Sequence, residues 1–300
     1  PTMLDLKRQI IRKSDGLDYS DTTESMENVG GLEVVKQFVR VRKKAFTQAA
    51  KDFRLPTPRG IFLLGVQGCG KSLCAKAVAN EFQFPLIKLD AGKMFAKYVG
   101  ESEYRMRSAL KIAESIAPCV LFIDEIDHGL SGGDVGSSTD SGTTQRVVGS
   151  LLNWMQERKA PVFLVACANS LNGLPPALLR KGRFDELFFV DLPGKKVRRD
   201  IFAIHLKRKN RNPADFDLDR LASASEEFSG AEIEAVVSDG MYKAFDEGRE
   251  VSTDDILYSC QHCTPLAQTM KESIVALRRF ANTRARHADV PDEGCSESVE

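Results

Sequence analysis

A glycine-rich segment of this chain ends in a lysine and a serine, a combination that can bind a polyphosphate. Residues 65–72 read GVQGCGKS; they follow the apolar run 61–64 and precede the helix-favouring stretch 73–82. This is the strand, loop and helix order of a P-loop, in which backbone N–H groups point at phosphates. Lys71 would reach the β and γ oxygens of a nucleoside triphosphate and Ser72 would hold Mg²⁺, above the positive end of the helix dipole. The loop residues expected to contact the nucleotide are Gln67, Gly68, Cys69, Gly70, Lys71, Ser72 and Leu73.

An acidic pair follows a second apolar run and could supply the metal ligand and the base. Residues 119–123 read CVLFI and are followed by Asp124 and Glu125. At the carboxyl edge of a parallel sheet Asp124 could hold Mg²⁺ through water, which leaves Glu125 to orient or deprotonate an attacking water. Acids that follow a strand often only begin a solvated loop. Because this pair accompanies a P-loop, we predict an enzyme that binds and hydrolyses ATP.

The elements that would position these residues alternate along the chain. Between residues 26 and 193, apolar strand-like runs alternate with helical patterns, which predicts βαβ units in a parallel sheet with helices on both faces. The strand-like runs are residues 61–64, 85–89, 119–123, 162–168 and 187–190. Residues 194–265 contain four helical stretches, which predict a smaller all-α lid domain. These stretches are residues 195–209, 217–226, 231–247 and 253–263. The predicted fold is therefore a P-loop NTPase α/β domain followed by a helical lid.

The remaining segments are expected to lie around this core. Residues 1–25 are predicted to form a short amphipathic helix and a linker, and residues 131–144 a mobile surface loop. Residues 266–288 form a basic helical segment that we expect to be solvated or to contact another subunit rather than nucleic acid. Residues 289–300 are small and acidic, which predicts a disordered tail.

Composition limits the possible functions. The 300 residues can bury a sizeable core, and 42 Lys and Arg balance 42 Asp and Glu. Zero net charge argues against a dedicated nucleic-acid binder. No apolar run is long enough to cross a bilayer, so no transmembrane segment is expected in this chain. The chain begins at Pro1, which indicates a fragment whose upstream domain or targeting signal would not be visible.

The cysteines favour an intracellular protein. There are seven, an odd number, and those in or beside the apolar runs are typical of reduced core residues. They are Cys69, Cys74, Cys119 and Cys167. Cys260 and Cys263 have the spacing of a metal-ligand pair, but no second pair follows, and a helix would also place both sulfurs on one face. A zinc or redox role for this pair is therefore disfavoured.

Over roughly residues 26–265 the chain resembles the AAA+ ATPase family. Residues 28–32 (NVGGL) are similar to the segment with which that family cradles adenine through backbone groups, here Val29 and Gly30. Asn169 stands where the family has the polar sensor that helps to position the hydrolytic water. The resemblance thus implies ATP and Mg²⁺ as cofactors.

Two further motifs of the resemblance lie in the lid. Residues 228–232 (FSGAE) are similar to the start of the sensor-2 helix in the branch where Gly230 and Ala231 replace an arginine. Residues 201–205 (IFAIH) match the segment whose histidine, here His205, lies near the nucleoside. The resemblance implies that the lid contributes these three residues to the nucleotide site.

Residues 179–185 (LRKGRFD) resemble the arginine-finger box. Arg180 and Arg183 are three residues apart on a turn beyond a strand, so both can point at one phosphate. The resemblance implies that they act on the ATP of a neighbouring subunit and that the chain forms a homo-oligomeric ring, usually a hexamer. The alternative is a pair of surface arginines neutralised by Asp185 or Glu186.

Residues 94–102 (MFAKYVGES) resemble the central pore loop of the AAA+ branch that pulls polypeptides. Tyr98 and Val99 could grip an extended chain by apolar contact, and Gly100 would allow the loop to pivot. The alternative is that Tyr98 and Val99 pack against the next helix. If the first interpretation holds, the partner is a protein substrate.

The closest likeness is to the hypothetical AAA reading-frame proteins of plastid and cyanobacterial genomes. Residues 55–60 (LPTPRG), 154–157 (WMQE) and 180–186 (RKGRFDE) carry it. It implies a cytoplasmic location, or the plastid stroma if the gene is plastid-encoded, and identifies no substrate. We interpret the chain first as an ATP-driven protein remodeller and alternatively as an ATP-gated regulatory scaffold. A DNA-directed motor is disfavoured because nucleic-acid channels need clustered basic residues.

Overall fold

A single mostly parallel sheet forms the centre of the larger part of the molecule. The structure is a computed structural model that describes residues 11, 16–20, 23–94, 101–131 and 141–290. In this part of the chain the sheet has the strand order β1-β3-β4-β5-β2-β6-β7, and all neighbours are parallel except β1 and β3. The strands are β1 Leu17–Ser20, β2 Gly60–Gly65, β3 Leu86–Leu89, β4 Cys119–Ile123, β5 Val162–Ala168, β6 Glu186–Val190 and β7 Arg286–His287. The apolar runs predicted as strands are confirmed as β2 to β6, each within one residue.

Helices connect and cover the strands. The large domain contains α1 Glu33–Lys43, α2 Gln48–Asp52, α3 Lys71–Phe82, α4 Ala91–Met94, α5 Glu101–Ile116, α6 Ile126–Ser131 and α7 Ser141–Glu157. The later helices are α8 Lys195–Arg208, α9 Leu218–Ala224, α10 Gly230–Asp246, α11 Thr253–His262, α12 Leu266–Thr269 and α13 Lys271–Arg284. Short 3₁₀ turns span Met26–Asn28, Lys44–Phe46 and Pro213–Asp215.

The sheet is buried on both faces, as its continuous apolar strands predict. Every residue of β2 is buried, and its side chains alternate between two core clusters. Phe62 and Leu64 pack beneath α5, α7 and α13, whereas Ile61 and Leu63 pack beneath α1 and α3. The predicted α/β fold with helices on both faces is confirmed.

Helices α8 to α11 form the predicted lid around a core of their own. Its fully buried side chains are Phe202, Leu206, Leu221, Ile233, Val237 and Ile256. Each helix ends within two residues of its predicted bounds. The apolar stripes of these helices cannot be buried individually, so mutual packing makes them one unit.

Three predictions for the outer segments are wrong in part. Residues 17–20, predicted as linker, form β1, which pairs antiparallel with β3. Residues 286–287 are predicted to continue a helix. Helix α13 instead ends at Arg284, and residues 286–287 form β7, which pairs with β6. Residues 141–144 begin α7 and are not loop, while residues 132–140 lie outside the described chain. Strands β1 and β7 contain only four and two residues, so hydrogen bonds to distant neighbours, and not periodicity, determine them.

The prediction of a disordered tail over residues 289–300 is wrong at Asp289, its first residue. The Asp289 carboxylate accepts a hydrogen bond from Leu32 N at 3.0 Å. A residue 257 positions earlier therefore holds Asp289 in place. The residues beyond 290 lie outside the described part of the chain.

One buried carboxylate fixes the start of α11, and its loss should destabilise the lid. Asp255 is 3% exposed. Its carboxylate accepts hydrogen bonds from Ser252 N at 2.9 Å and from Ser252 Oγ at 2.6 Å. It accepts two more from the Arg249 guanidinium, both at 2.6 Å. These bonds hold the pKa of Asp255 well below its usual range, the Arg249 guanidinium contributing most. We expect Asp255→Ala to lower the free energy of unfolding by about 2 kcal/mol, because a cap and a charged hydrogen-bond set are lost.

Chemical denaturation of the purified chain measures this change. Asp254→Ala is the matched control: its side chain is 80% exposed and its pair with Arg220 spans 3.3 Å. An exposed pair of this kind contributes about 0–1 kcal/mol. Equal effects of the two substitutions would show that the buried cap does not stabilise the lid.

Candidate nucleotide-binding site

The predicted phosphate loop connects the end of β2 to the start of α3. Gly68 and Gly70 have φ angles of +77° and +83°, in the left-handed region that side chains rarely adopt. A Cβ at Gly68 would also lie 2.9 Å from Ser229 Oγ of the lid. These glycines therefore give the loop its curvature and let the lid approach it closely.

Lys71 lies beneath this loop, at the first residue of α3. Its side chain is buried, and its ammonium group donates to Gly65 O at 2.8 Å and to Val66 O at 2.7 Å. Burial lowers the pKa of Lys71, and the carboxylates of Asp124 and Asp127 partly oppose that shift. A phosphate oxygen at the loop would be a stronger partner for this ammonium than a neutral carbonyl, because its charge would oppose the same shift.

Ser72 and Asp124 meet at the carboxyl edge of the sheet, as predicted. Ser72 Oγ donates to both Asp124 carboxylate oxygens at 3.1 Å. A hydroxyl and a carboxylate are hard oxygen ligands, the donor set that Mg²⁺ prefers. Sequence reasoning missed Lys88 of β3, whose Nζ lies 3.5 Å from Asp124 Oδ2. A lysine inside an otherwise apolar strand next to β4 was the available signal.

Glu125 follows Asp124 with an unusual backbone conformation. Its φ of +47° lies in the left-handed region, and its side chain is exposed. Non-glycine residues in such conformations cost about 1–3 kcal/mol and cluster at active sites. Asn169, directly after β5, donates from Nδ2 to Glu125 Oε1 at 3.4 Å. The structure thus brings the predicted base and the predicted polar sensor into contact.

Asp127 holds this sensor in place and was not predicted. It is 2% exposed, and its Oδ2 accepts bonds from Asn169 N at 3.1 Å and Ser170 N at 2.8 Å. These bonds fix the backbone at the end of β5 beside α6. Its position three residues after Asp124 in one acidic segment was the only sequence signal.

The predicted adenine segment packs against the lid. Val29 is buried, and a Cβ at Gly30 would overlap the Ile201 side chain of α8. Gly31, with φ +65°, contacts the same helix, where a Cβ would lie 2.7 Å from Val197 Cγ1. The backbone of this segment therefore lies directly on α8.

The start of α10 contacts the phosphate loop. Ala231 N donates to Gly68 O at 3.0 Å, and a Cβ at Gly230 would lie 3.2 Å from that same oxygen. Ser229 and Glu232 form a capping box that fixes this helix start. The predicted lid residues Gly230 and Ala231 thus lie beside the loop.

His205 lies one helical turn after Ile201 on α8. Its Nδ1 is 3.9 Å from Glu234 Oε1 of α10. Burial lowers the pKa of His205 from 6.5, and Glu234 partly opposes the shift. The imidazole is therefore mostly neutral at pH 7. The ionic neighbour of His205 is Glu234, a lid residue. The predicted position of His205 near the nucleoside therefore stays a prediction.

The predicted arginine fingers lie at the opposite edge of the sheet. Arg180 is exposed, and Arg183 donates to Leu152 O of α7 at 2.6 Å. Asp185 accepts bonds from the backbone N–H groups of Arg59 and Gly60 at 2.8 and 3.0 Å. The structure therefore does not show Asp185 neutralising the arginines.

The length of β2 separates this turn from the phosphate loop of the same chain. The turn is bonded to Gly60, where β2 begins, and the loop leaves β2 after Gly65. At about 3.3 Å per residue the separation is about 17 Å, which is longer than an arginine side chain. Arg180 and Arg183 therefore lie too far from the phosphate loop of their own chain to reach it.

Comparison with known proteins places this arrangement in a family. Residues 61–192 match the ATPase family associated with various cellular activities (AAA), and residues 215–258 match the AAA+ lid domain. Together these segments make up more than half of the chain. The chain belongs to the AAA family. This confirms the predicted family.

Several AAA relatives extend over most of the chain. The uncharacterized AAA domain-containing protein ycf46 of Trieres chinensis is 45% identical over 282 residues, 94% of this chain and 56% of that protein. Its namesake from Pyropia yezoensis is 44% identical over 292 residues, 97% of this chain and 59% of that protein. A cell division cycle protein 48 homolog of Archaeoglobus fulgidus is 40% identical over 216 residues, 70% of this chain and 29% of that protein. The chain spans a little over half the length of the two ycf46 proteins.

The AAA pore-loop prediction falls outside the described residues. Tyr98, Val99 and Gly100 belong to residues 95–100, which the structure does not describe. Both interpretations of this loop therefore stay predictions. Across the described helices, none is long and apolar enough to span a membrane.

Four of the six cysteines in the described part of this AAA chain are buried. Burial raises the pKa of Cys69 and of Cys260 to about 12, so both are thiols at neutral pH. Cys260 lies in the lid core, and Cys263 directly follows α11. Among the described side chains, no group of three or more His, Cys, Asp or Glu could hold a metal ion.

Proposed function

We propose that this AAA chain binds ATP with Mg²⁺ and hydrolyses it. The observation that carries the proposal is the convergence of two contacts at the carboxyl edge of the sheet. Ser72 meets Asp124 there, and Glu125 meets Asn169 on the neighbouring strand ends. Together they provide oxygen ligands for a cation and a carboxylate held by a polar amide.

Each side chain then has a separate task. Lys71 exchanges its carbonyl partners for the β and γ phosphate oxygens, and the backbone N–H groups of the loop bind the rest of the phosphate chain. Ser72 and Asp124 would hold the cation, Asp124 through water. Mg²⁺, when bound, neutralises charge on the phosphates. Glu125 orients the attacking water and accepts its proton, while Asn169 fixes the position of that carboxylate.

Hydrolysis requires a second copy of the chain. Because Arg180 and Arg183 lie at the far edge of the sheet, they reach a phosphate only when it is bound to another copy. A contact that joins the two opposite edges is head-to-tail, and repetition of such a contact gives a ring when the rotation between neighbouring copies closes. We propose a homo-oligomeric ring, a hexamer in keeping with the family resemblance. Tyr98, Val99 and Gly100 would line its pore and move a protein substrate.

Replacement of the base by its amide tests the hydrolytic site. Glu125→Gln keeps the shape of the side chain and removes the proton acceptor, so ATP turnover should fall by about 10²- to 10⁴-fold. ATP binding should change little, because Glu125 is not a phosphate contact. Turnover is measured by phosphate release and binding by titration with ATP and Mg²⁺.

Glu226→Gln is the matched control, since Glu226 is an exposed lid carboxylate. It should retain full turnover. Undiminished hydrolysis by Glu125→Gln would show that Glu125 is not the base, and lack of nucleotide binding by the unchanged chain would remove the whole proposal. Mass measurement with and without ATP and Mg²⁺ tests the ring, whose hexamer would have six times the 33.2 kDa chain mass.

A further inference from the structure

The C-terminal segment supplies the cap that helix α1 lacks in its own sequence. The residue that precedes the helix is Leu32, whose φ is +57° and whose side chain has no polar atom to accept a hydrogen bond. The first N–H groups of a helix have no acceptor within it. Asp289 Oδ2 accepts from Leu32 N at 3.0 Å, and Ala288 O accepts from Val34 N at 3.1 Å and Val35 N at 3.4 Å. A distant segment therefore takes over a task that Ser, Thr, Asp or Asn usually performs locally.

The capping segment is held firmly on the sheet. Ala288 is 1% exposed, and its N–H donates to Phe189 O at 2.9 Å. Immediately before it, β7 pairs with β6. Arg278 of α13 donates twice to Asp191, at 2.8 and 3.0 Å, just beyond the end of β6. The Asp289 carboxylate is thus presented by ordered structure and not by a loose tail.

The capped turn is continuous with the adenine segment. Leu32 follows Gly30 and Gly31 directly, and a Cβ at Gly31 would overlap Asp289 Oδ2 on one side and approach Val197 of the lid on the other. Leu32 has a left-handed backbone, which a non-glycine residue holds only with support from its surroundings. The backbone of this segment is therefore fixed between the C-terminal carboxylate and the lid.

We propose that Asp289 is a positioning residue for the nucleotide base. By fixing Leu32 it sets the backbone groups of Val29 and Gly30 that meet the adenine, so the base-dependent part of ATP affinity depends on the C-terminal segment. This inference rests on the proposed function, since it concerns the same nucleotide. It predicts a selective effect: ATP binding weakens, whereas binding of a ligand that has phosphates but no base does not.

The experiment compares ATP with inorganic tripolyphosphate, each in the presence of Mg²⁺, by calorimetric titration of the full chain. Asp289→Ala should raise the Kd for ATP about 10-fold, the effect of losing one hydrogen bond to a charged acceptor, and leave the Kd for tripolyphosphate unchanged. Asp289→Asn retains an oxygen acceptor for Leu32 N and should recover most of the ATP affinity. Glu272→Ala, an exposed acid of α13, is the matched control and should change neither Kd.

The ratio of the two Kd values decides the outcome. If Asp289→Ala weakens both ligands equally, or neither, the positioning role is wrong. If the alanine variant does not fold, Asp289→Asn decides instead: its neutral acceptor should weaken ATP binding slightly and leave tripolyphosphate binding unchanged, and equal weakening of both ligands refutes the role. If the unchanged chain binds both ATP and tripolyphosphate but the Asp289 variants show no loss of affinity specific to ATP, this inference is wrong and the proposed function stands. Failure of the unchanged chain to bind either probe overturns the proposed function with it.

Discussion

Lys71→Ala should weaken ATP binding by about 10²- to 10⁴-fold, because two charge-assisted hydrogen bonds of about 1.5–3 kcal/mol each are lost. Lys71 carries the buried cationic group of the phosphate loop, and its carbonyl partners lie in the same loop. The loss should be equal for ATP and for inorganic tripolyphosphate, since Lys71 acts on phosphates and not on the base. This pattern is the opposite of the selective effect expected for Asp289.

Equilibrium titration with both ligands measures the change, and thermal unfolding confirms that the variant is folded. Lys76→Ala is the matched control because it removes the same charge from the same helix, five residues further from the loop. Its Kd values should equal those of the unchanged chain. Retention of tight binding by Lys71→Ala would refute the phosphate-loop assignment.

Arg180→Ala and Arg183→Ala should each bind ATP normally and hydrolyse it about 10³-fold more slowly, the effect of losing a transition-state arginine. The reason is their position at the far edge of the sheet, where they serve a site on another copy. Lys181→Ala, an exposed cation in the same turn, should retain full turnover and is the matched control.

Mixing variants tests whether the arginines act between copies. A Glu125→Gln chain has intact arginines, and an Arg183→Ala chain has an intact base, so about one quarter of the interfaces in a randomly mixed ring join both functional halves. Turnover of the mixture should therefore exceed that of either variant alone. Intact mixed rings without any recovery would show that the arginines do not act in trans.

The sequence predicts the centre of the molecule well because its signals there are local. The apolar run of β2 and the glycines after it specify a buried strand and a phosphate loop without reference to other segments. Once a parallel sheet is inferred, Glu125 and Asn169 are expected at the same edge, because the carboxyl ends of its strands share that edge.

The parts that the sequence does not predict depend on partners far along the chain. Strand β1 contains four residues, and it forms because β3 offers an open edge. Asp289 looks like part of an acidic tail until the uncapped start of α1 is found beside it. The sequence signals of Lys88 and Asp127 are weak, and only the fold brings Lys88 to Asp124 and Asp127 to the end of β5.

The hydrogen bonds of Asp185 to Arg59 and Gly60 have a mechanical consequence. They tie the arginine turn to one end of β2, and the phosphate loop leaves the other end. Strand β2 is buried along its whole length and is hydrogen-bonded to β5 on one side and β6 on the other, so we expect it to move as one rigid element. In the proposed ring its two ends serve different nucleotides, so we expect a displacement of the phosphate loop at one site to move the arginine turn at the next site through the backbone of a single strand.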